Sequence, residues 1–305
     1  MQTSFRTFKL SKMYGSRNCI LIILVCVITG FSFQLKAQSL YSKNYKGHLI
    51  LCGGVSFPEE AIKKFVEFSG GPDANFIFVA SASTSIRLDN GYIYEIPKNE
   101  TDSTVLLRQK FESELAKVFG ITKITVIDTR NKNDADSPDY LLQFKRANGI
   151  WLGPGNAGRY ADAFLGTLFQ KLLDSILVKG GVIGGNSADA IIQGSYIIRG
   201  RSDKPLLMAK GHEKGFGFLK NIVINPHLTS AKRETELVNV LDKYPALLGI
   251  GIDDDISLVF TGNIFEVTGK GIVAIYDNRK HGDNWWYILK PGNKFDINKR
   301  EIVPN

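Results

Sequence analysis

The chain is expected to fold as α/β, with a mostly parallel sheet carrying helices on both faces in three layers and a β-hairpin extension towards the C-terminus. Three observations predict this. Short apolar runs alternate with helix-like segments from residue 49 to residue 186. Those runs are continuous rather than alternating in polarity, as strands covered on both faces are. After Ala190 the pattern changes to short apolar runs separated by Gly or Asn turns, which is hairpin chemistry. With 305 residues and 44% hydrophobic content, the chain can bury one large core.

The N-terminus reads as a segment apart from the fold. Arg6, Lys9, Lys12 and Arg17 precede a 15-residue apolar run from Cys19 to Phe33, and Leu35-Lys36-Ala37 then offers a small-residue cleavage site. This is the layout of a secretory signal peptide over residues 1–37, with a single domain over residues 38–305. The run is shorter than the ~20 residues a membrane span needs, so no stable anchor is expected after cleavage, and the product is exported to a periplasm or secreted. Val25 stands before Cys26 where a lipoprotein site wants a small residue. Removing residues 1–37 takes away five basic residues and no acidic ones, which lowers the formal charge from +8 to +3. No basic stripe with interleaved aromatics remains, so a nucleic-acid partner is not expected. Two of the three cysteines lie in the leader, leaving Cys52 without a disulfide partner. It reads as a buried thiol at a strand end.

Strand one is read at Leu49–Cys52, followed by Gly53-Gly54 and a helix over Pro58–Phe68. Strand two is Phe76–Ala80. Residues 81–103 read as a long loop at the mouth of a site. A helix over Ser103–Phe119 stops at Gly120, strand three is Ile124–Ile127, and Pro138 starts a helix to about Ala147. Strand four, Ile150–Leu152, runs into Gly153-Pro154-Gly155-Asn156. One helix, Arg159–Leu177, then leads to the strand before Gly184-Gly185. Later strands are read at Ile197-Ile198, Ile222–Ile224, Leu248–Ile252, Ser257–Phe260, Phe265–Val267 and Ile272–Tyr276, extending the sheet on one side. The tail 278–305, with Trp285-Trp286-Tyr287, reads as a last hairpin or a partner surface.

The chemistry concentrates at Gly181-Val182-Ile183-Gly184-Gly185-Asn186-Ser187-Ala188-Asp189-Ala190. An apolar strand, a glycine pair, a serine and a helix start make a nucleophile elbow, which lifts a hydroxyl clear of the sheet. The usual pattern is G-x-S-x-G, and Asp189 stands at its last glycine. A serine nucleophile needs a base. His48, His212, His227 and His281 are available, and His227 is preferred because it follows Ile222-Val223-Ile224 at a strand's C-terminal end, where open α/β sheets bind ligands. Asp253-Asp254-Asp255 closes another strand and offers a carboxylate to orient the imidazole. A dedicated metal site is not expected from so few His and Cys residues.

Taken together, these motifs resemble the cyanophycinase family of serine peptidases, relatives of the alpha-aspartyl dipeptidases within the class I glutamine amidotransferase-like fold. The family's G-G-x-S-A-G-A elbow corresponds to Gly184–Ala190. Its G-G-N-Q-x-R-L turn corresponds to Pro154-Gly155-Asn156-Ala157-Gly158-Arg159-Tyr160, and its D-x-H-F turn to Asn225-Pro226-His227-Leu228. Its L-G-I-G-I-D-E-D turn corresponds to Leu248-Gly249-Ile250-Gly251-Ile252-Asp253-Asp254-Asp255. Order and spacing agree from about residue 47 to residue 277. The resemblance implies Ser187 as nucleophile, His227 as general base and Asp254 as its orienting acid. It implies backbone N–H groups of Ala188 and Gly155 as oxyanion donors, and substrate contacts near Asn156, Asp189 and Asn225. It also implies a small peptide or isopeptide substrate, no metal or organic cofactor, and a homodimer as is common in the family.

The departures point away from cyanophycin itself as substrate. The family's glutamine is Ala157, its aspartate two before the histidine is Asn225, and its basic residue four after the histidine is Ala231. Losing polar contacts of this kind costs orders of magnitude in discrimination. Asp189 leaves three possibilities open. It caps the helix away from the cleft, it crowds the elbow and repels the oxyanion, or it is the acid that orients His227. The same departures motivate a second reading, a family member that binds a ligand or partner without turnover. An amidotransferase-type activity is set aside because a serine, not a cysteine, stands at the elbow.

Overall fold

The computed structural model describes residues 45–98, 101–198 and 213–304. The leader over residues 1–37 and His212 lie outside the described residues. In chain order the first half holds β1 (His48–Cys52), α1 (Glu59–Phe68), β2 (Phe76–Val79), β3 (Ser85–Arg87), β4 (Ile93–Glu95), α2 (Asp102–Phe119), β5 (Ile124–Ile127), α3 (Lys132–Ala135), α4 (Pro138–Leu142), β6 (Gly149–Leu152), α5 (Ala157–Phe164), α6 (Leu168–Lys179) and β7 (Val182–Asn186). The second half holds α7 (Ala188–Gln193), β8 (Gly194–Tyr196), β9 (Leu219–Pro226), α8 (Glu236–Lys243), β10 (Leu248–Ile252), β11 (Ile256–Thr261), β12 (Ile264–Gly269), β13 (Val273–Tyr276), β14 (Tyr287–Leu289), β15 (Lys294–Asp296) and β16 (Glu301–Val303).

The large sheet has nine strands in the order β16-β15-β12-β11-β1-β7-β6-β2-β5. Its β1-β7-β6-β2-β5 portion is parallel throughout. The strands added beyond β1 are antiparallel. The strand period of two divides the core between the sheet's faces. Ile50, Cys52, Phe76, Phe78 and Trp151 pack with α1 and α2. Leu49, Leu51, Ile77, Val79, Ile150 and Leu152 pack on the other face, with α5 and α6. These are the expected helix layers on both faces.

The later strands do not all extend that sheet. β8, β9, β10, β13 and β14 form a second, five-stranded sheet in the order β14-β13-β10-β9-β8. The side chains of Ile222, Ile224, Ile250, Ile252, Val273 and Ile275 join the large core. The other face, with Val223, Ala274 and Tyr276, is covered by Leu237, Val240 and Leu241 of α8. The strands of this sheet are thus also covered on both sides, which a hairpin extension of a single sheet does not require.

Other expectations are corrected. The segment read as one helix over Arg159–Leu177 is two, because Gly166 takes φ 75° and Thr167 caps α6. The helix expected from Pro138 to Ala147 ends at Leu142, and part of the loop at 81–103 is the β3–β4 hairpin. The tail divides between the sheets, with β14 on β13 and β15 on β12. Among the described residues no helix is long and apolar enough to cross a membrane.

Candidate active site

Ser187 follows β7 directly and begins α7. Its N–H donates to the Cys52 carbonyl at 2.9 Å, which carries the β1–β7 ladder one residue past the Cys52–Asn186 pair. Its φ of 52° and ψ of −97° lie where a side chain is strained. Such a residue costs about 1–3 kcal/mol and persists only when its surroundings hold it. Asn186 supplies part of that hold. Its side-chain oxygen accepts from Trp151 Nε1 at 2.6 Å, and its amide donates to the Ser56 carbonyl. The turn leaves Ser187 8% exposed.

His227 follows β9 directly, with φ 58°. Its Nε2 lies 2.8 Å from Ser187 Oγ, and its Nδ1 is hydrogen-bonded to Asp254 Oδ1. A carboxylate on Nδ1 holds the proton there and leaves Nε2 as the acceptor for the serine hydroxyl. Two effects compete at Asp254. Burial, the largest single one, pushes its carboxyl up, but hydrogen bonds from Ser230 and His227 and the charges of His227 and Arg233 together hold it below its usual value. The side chains of His227 and Asp254 are 20% and 37% exposed, so this half of the site meets water.

The second sheet's register sets this pair. β9 and β10 run parallel with Pro226 opposite Ile252, so the next residues, His227 and then Asp253-Asp254, leave the sheet together. Asp253 clamps the exit. Its Oδ1 accepts from Thr229 N and Oγ1 at 3.1 and 2.8 Å, and its Oδ2 from Ile272 N at 2.9 Å. Arg233 donates to the Pro226 carbonyl at 2.8 Å. The side chains of Asp253 and Asp254 therefore diverge rather than face one another. Asp254 takes the histidine, Asp253 takes the turn, and the Asp255 carbonyl accepts from Lys270 N.

Residues 253–255 are also where the chain crosses from the second sheet, at β10, to the large sheet, at β11. Gly53-Gly54, just past β1, lie against that crossing. A Cβ on Gly53 would sit 2.1 Å from the Asp253 carbonyl oxygen, and one on Gly54 would sit 2.5 Å from that of Asp254. The Gly53 N–H donates to the Ile256 carbonyl at 3.0 Å. This close backbone approach joins the sheets at the edge where Ser187 and His227 meet. The glycine pair reads from sequence only as a turn; its position straight after a buried strand is the signal that a close approach follows.

Gly155 has φ 149°, and a Cβ there would lie 2.3 Å from the Ala82 carbonyl oxygen, so the turn admits glycine alone. Three consecutive carbonyls of the facing loop are held by arginines that sequence reasoning did not single out. Arg130 donates to Ser81 and Ser83, and Arg159 donates to Ala82 at 3.1 Å. Among the described residues, neither the Gly155 nor the Ala188 N–H donates to another group of the chain. Asn156 is half-buried. Its side-chain oxygen caps α5 through Gly158 N at 2.8 Å.

Asp189 and Asn225 are not brought to the cleft; both are fully buried. The Asn225 amide donates to Glu236 Oε2 at 3.0 Å on the α8 side of β9, as the alternation with Ile222 and Ile224 dictates. Asp189 bonds Gln193 at 2.6 Å and neither caps the backbone nor orients His227. His48 stacks on Phe68, and His281 bonds Asp277 at 2.9 Å. Cys52 is buried against Ser257, and burial pushes its thiol up to about 12.

A serine hydrogen-bonded to a histidine, itself bonded to a carboxylate, at a strained strand–helix turn, is the constellation of serine hydrolases. Comparison with known proteins agrees. The sequence profile of Peptidase family S51 matches residues 49–268. A cyanophycinase of Geminocystis herdmanii is 24% identical over 225 residues, covering 72% of this chain and 76% of that protein. A cyanophycinase of Trichormus variabilis is 24% identical over 298 residues, 89% of this chain and 93% of its own length. The crystal structure of a peptidase from an acI-B1 Actinobacterium superposes with a TM-score of 0.62 at 19% identity, covering 83% of this chain and 97% of its own, which shows a shared fold. The chain belongs to peptidase family S51, the family of the cyanophycinases, and is a serine-type peptidase or hydrolase.

Proposed function

We propose that Ser187, His227 and Asp254 form the catalytic triad of an exported hydrolase that cleaves small peptide or isopeptide bonds. The single observation that carries this reading is the 2.8 Å contact of Ser187 Oγ with His227 Nε2 at a strained elbow. Ser187 Oγ attacks the scissile carbonyl and its proton passes to His227 Nε2. Asp254 stabilises the imidazolium that results. The backbone N–H groups of Ala188 and Gly155 donate to the developing oxyanion, a contribution of about 3–4 kcal/mol per donor in comparable sites. His227 then protonates the leaving amine as the C–N bond breaks. Water, activated by the same imidazole, releases the acyl group from Ser187.

The substrate class follows the family, while the pocket departs from it. Relatives of this chain bear the name cyanophycinase. Ala157 stands where that family has a glutamine and is buried at the start of α5, and Asn225 is engaged with Glu236, so neither offers the family's polar contacts. A dipeptide-like substrate other than the aspartyl-arginine unit of cyanophycin is the reading these residues support. Export rests on the leader over residues 1–37.

The test is hydrolysis of a dipeptide and β-aspartyl isopeptide library by the mature protein beside Ser187→Ala. Turnover of a subset of members, lost in the variant, is expected. No turnover by folded protein, with ligand-induced thermal stabilisation unchanged in Ser187→Ala, would support binding without catalysis instead.

A further inference from the structure

Asp189 stands two residues past the nucleophile and is fully buried. Its Oδ2 accepts a hydrogen bond from Gln193 Nε2, one helical turn on, at 2.6 Å. Its Oδ1 has no partner, and neither has Gln193 Oε1. Two buried acceptors of one side-chain pair therefore lack a donor, and each is left with its desolvation uncompensated. The neighbours cannot supply one. On β7, Gly185 offers only its Cα, and a Cβ there would lie 2.1 Å from Asp189 Oδ2. On α5, the Tyr160 hydroxyl already donates to the Gly153 and Val79 carbonyls. On β1, the Cys52 thiol is paired with Ser257. Among the described residues no cation pairs with Asp189.

We infer that Asp189 is carried as a neutral carboxylic acid closed on Gln193, and that this pair is a positioning element of the nucleophile turn. A proton on Oδ1 turns an orphan acceptor into the donor that Gln193 Oε1 lacks, so one proton settles both atoms. Burial pushes the Asp189 carboxyl well above the usual carboxylate range, in the direction this pairing needs. Neutrality also suits the chemistry. The residue before Asp189 is Ala188, whose N–H faces a developing negative charge in the triad reading, and a carboxylate beneath it would oppose that charge. The absent Cβ of Gly185 leaves the space the acid fills. The missing last glycine of the elbow is thus replaced by an acid that points into the core, away from the reacting atoms.

The sign of the linkage is definite. The folded protein keeps a proton that the unfolded chain releases near pH 4. Stability from this group is complete below that value and is lost as pH rises through the folded-state value. Asp189→Asn keeps the shape and supplies an N–H donor at every pH. The melting temperature of Asp189→Asn relative to wild type should rise steadily from pH 4 upward. The infrared spectrum of the wild type at pH 7 should contain a protonated carboxylic C=O band that the Asn variant lacks. For the positioning role, which rests on the triad reading, Asp189→Ala should slow fluorophosphonate labelling of Ser187 about tenfold or more, and Asn should restore it. Parallel melting profiles, or a wild-type spectrum holding only carboxylate bands, overturn the neutral acid. Equal labelling of the Ala and Asn variants overturns the positioning role. The infrared and melting readouts need no turnover, so they stand apart from any failure of the hydrolase reading. If Asp189→Asn does not fold, the wild-type infrared spectrum decides alone.

Discussion

The two halves of the site are built differently. The nucleophile belongs to the large sheet and is rigid, dry and strained. Ser187 is 8% exposed, its backbone is held by β1, and the acid beneath it is fully buried. The base belongs to the second sheet and is open. His227 and Asp254 reach solvent, and hydrogen bonds made by the Asp253 and Arg233 side chains hold the turns that carry them. The difference separates two tasks. Backbone strain is stored where packing can sustain it. Proton exchange takes place where water can reach the imidazole. Beside the triad the halves are joined by Gly53-Gly54 lying against Asp253-Asp254.

The comparison breaks most sharply at the atoms where the halves touch. Ser187→Ala should abolish hydrolysis, by about 10⁴-fold or more in kcat/KM, with the melting temperature kept or raised because Ala occupies the same turn. Asp254→Asn should leave His227 in place with the wrong tautomer favoured, and lower kcat by about 10³–10⁴-fold at pH 7. Steady-state kinetics on one responsive dipeptide check both.

The join itself gives the next effect. A Cβ at Gly54 meets backbone rather than a movable side chain, so Gly54→Ala should cost about 1–3 kcal/mol in denaturant unfolding and lower kcat without altering any triad residue. A variant with full activity would show that the sheets are held together elsewhere. The smallest effect sharpens the contrast in pH. Asp254 is held below its usual value, so the stability it contributes is present above the unfolded-state value and is lost as pH falls through the folded one. The stability advantage of wild type over Asp254→Asn should shrink below about pH 4, opposite in sense to the Asp189 profile. Acid and alkaline melting curves of the two Asn variants check this pair of signs.

The same division explains what the sequence reveals. β1, β2, β5, β6, β7 and β10 are short, mostly apolar runs, so they are legible from residue type alone. The elbow at Ser187 and the strand-end position of His227 are local patterns and legible too. The second sheet is not, because a short apolar run does not say which sheet it joins; that is set by the crossing at residues 253–255. The inward turn of Asp189 and Asn225 depends on which face of α7 and β9 looks at the site, and that face is fixed by packing far along the chain. Weak local signals exist for both. Gln193 lies four residues from Asp189 on one helix face, and Asn225 is in step with Val223, not with Ile224.

The most direct test of a site assembled across two sheets is the rate at which a fluorophosphonate labels Ser187, read by mass spectrometry of the modified peptide, in wild type and in His227→Ala. A fall of about 10³-fold or more in the variant, with an unchanged circular dichroism spectrum, is expected if the second sheet supplies the base. Equal rates in the two proteins, or no labelling of folded wild type, would contradict it.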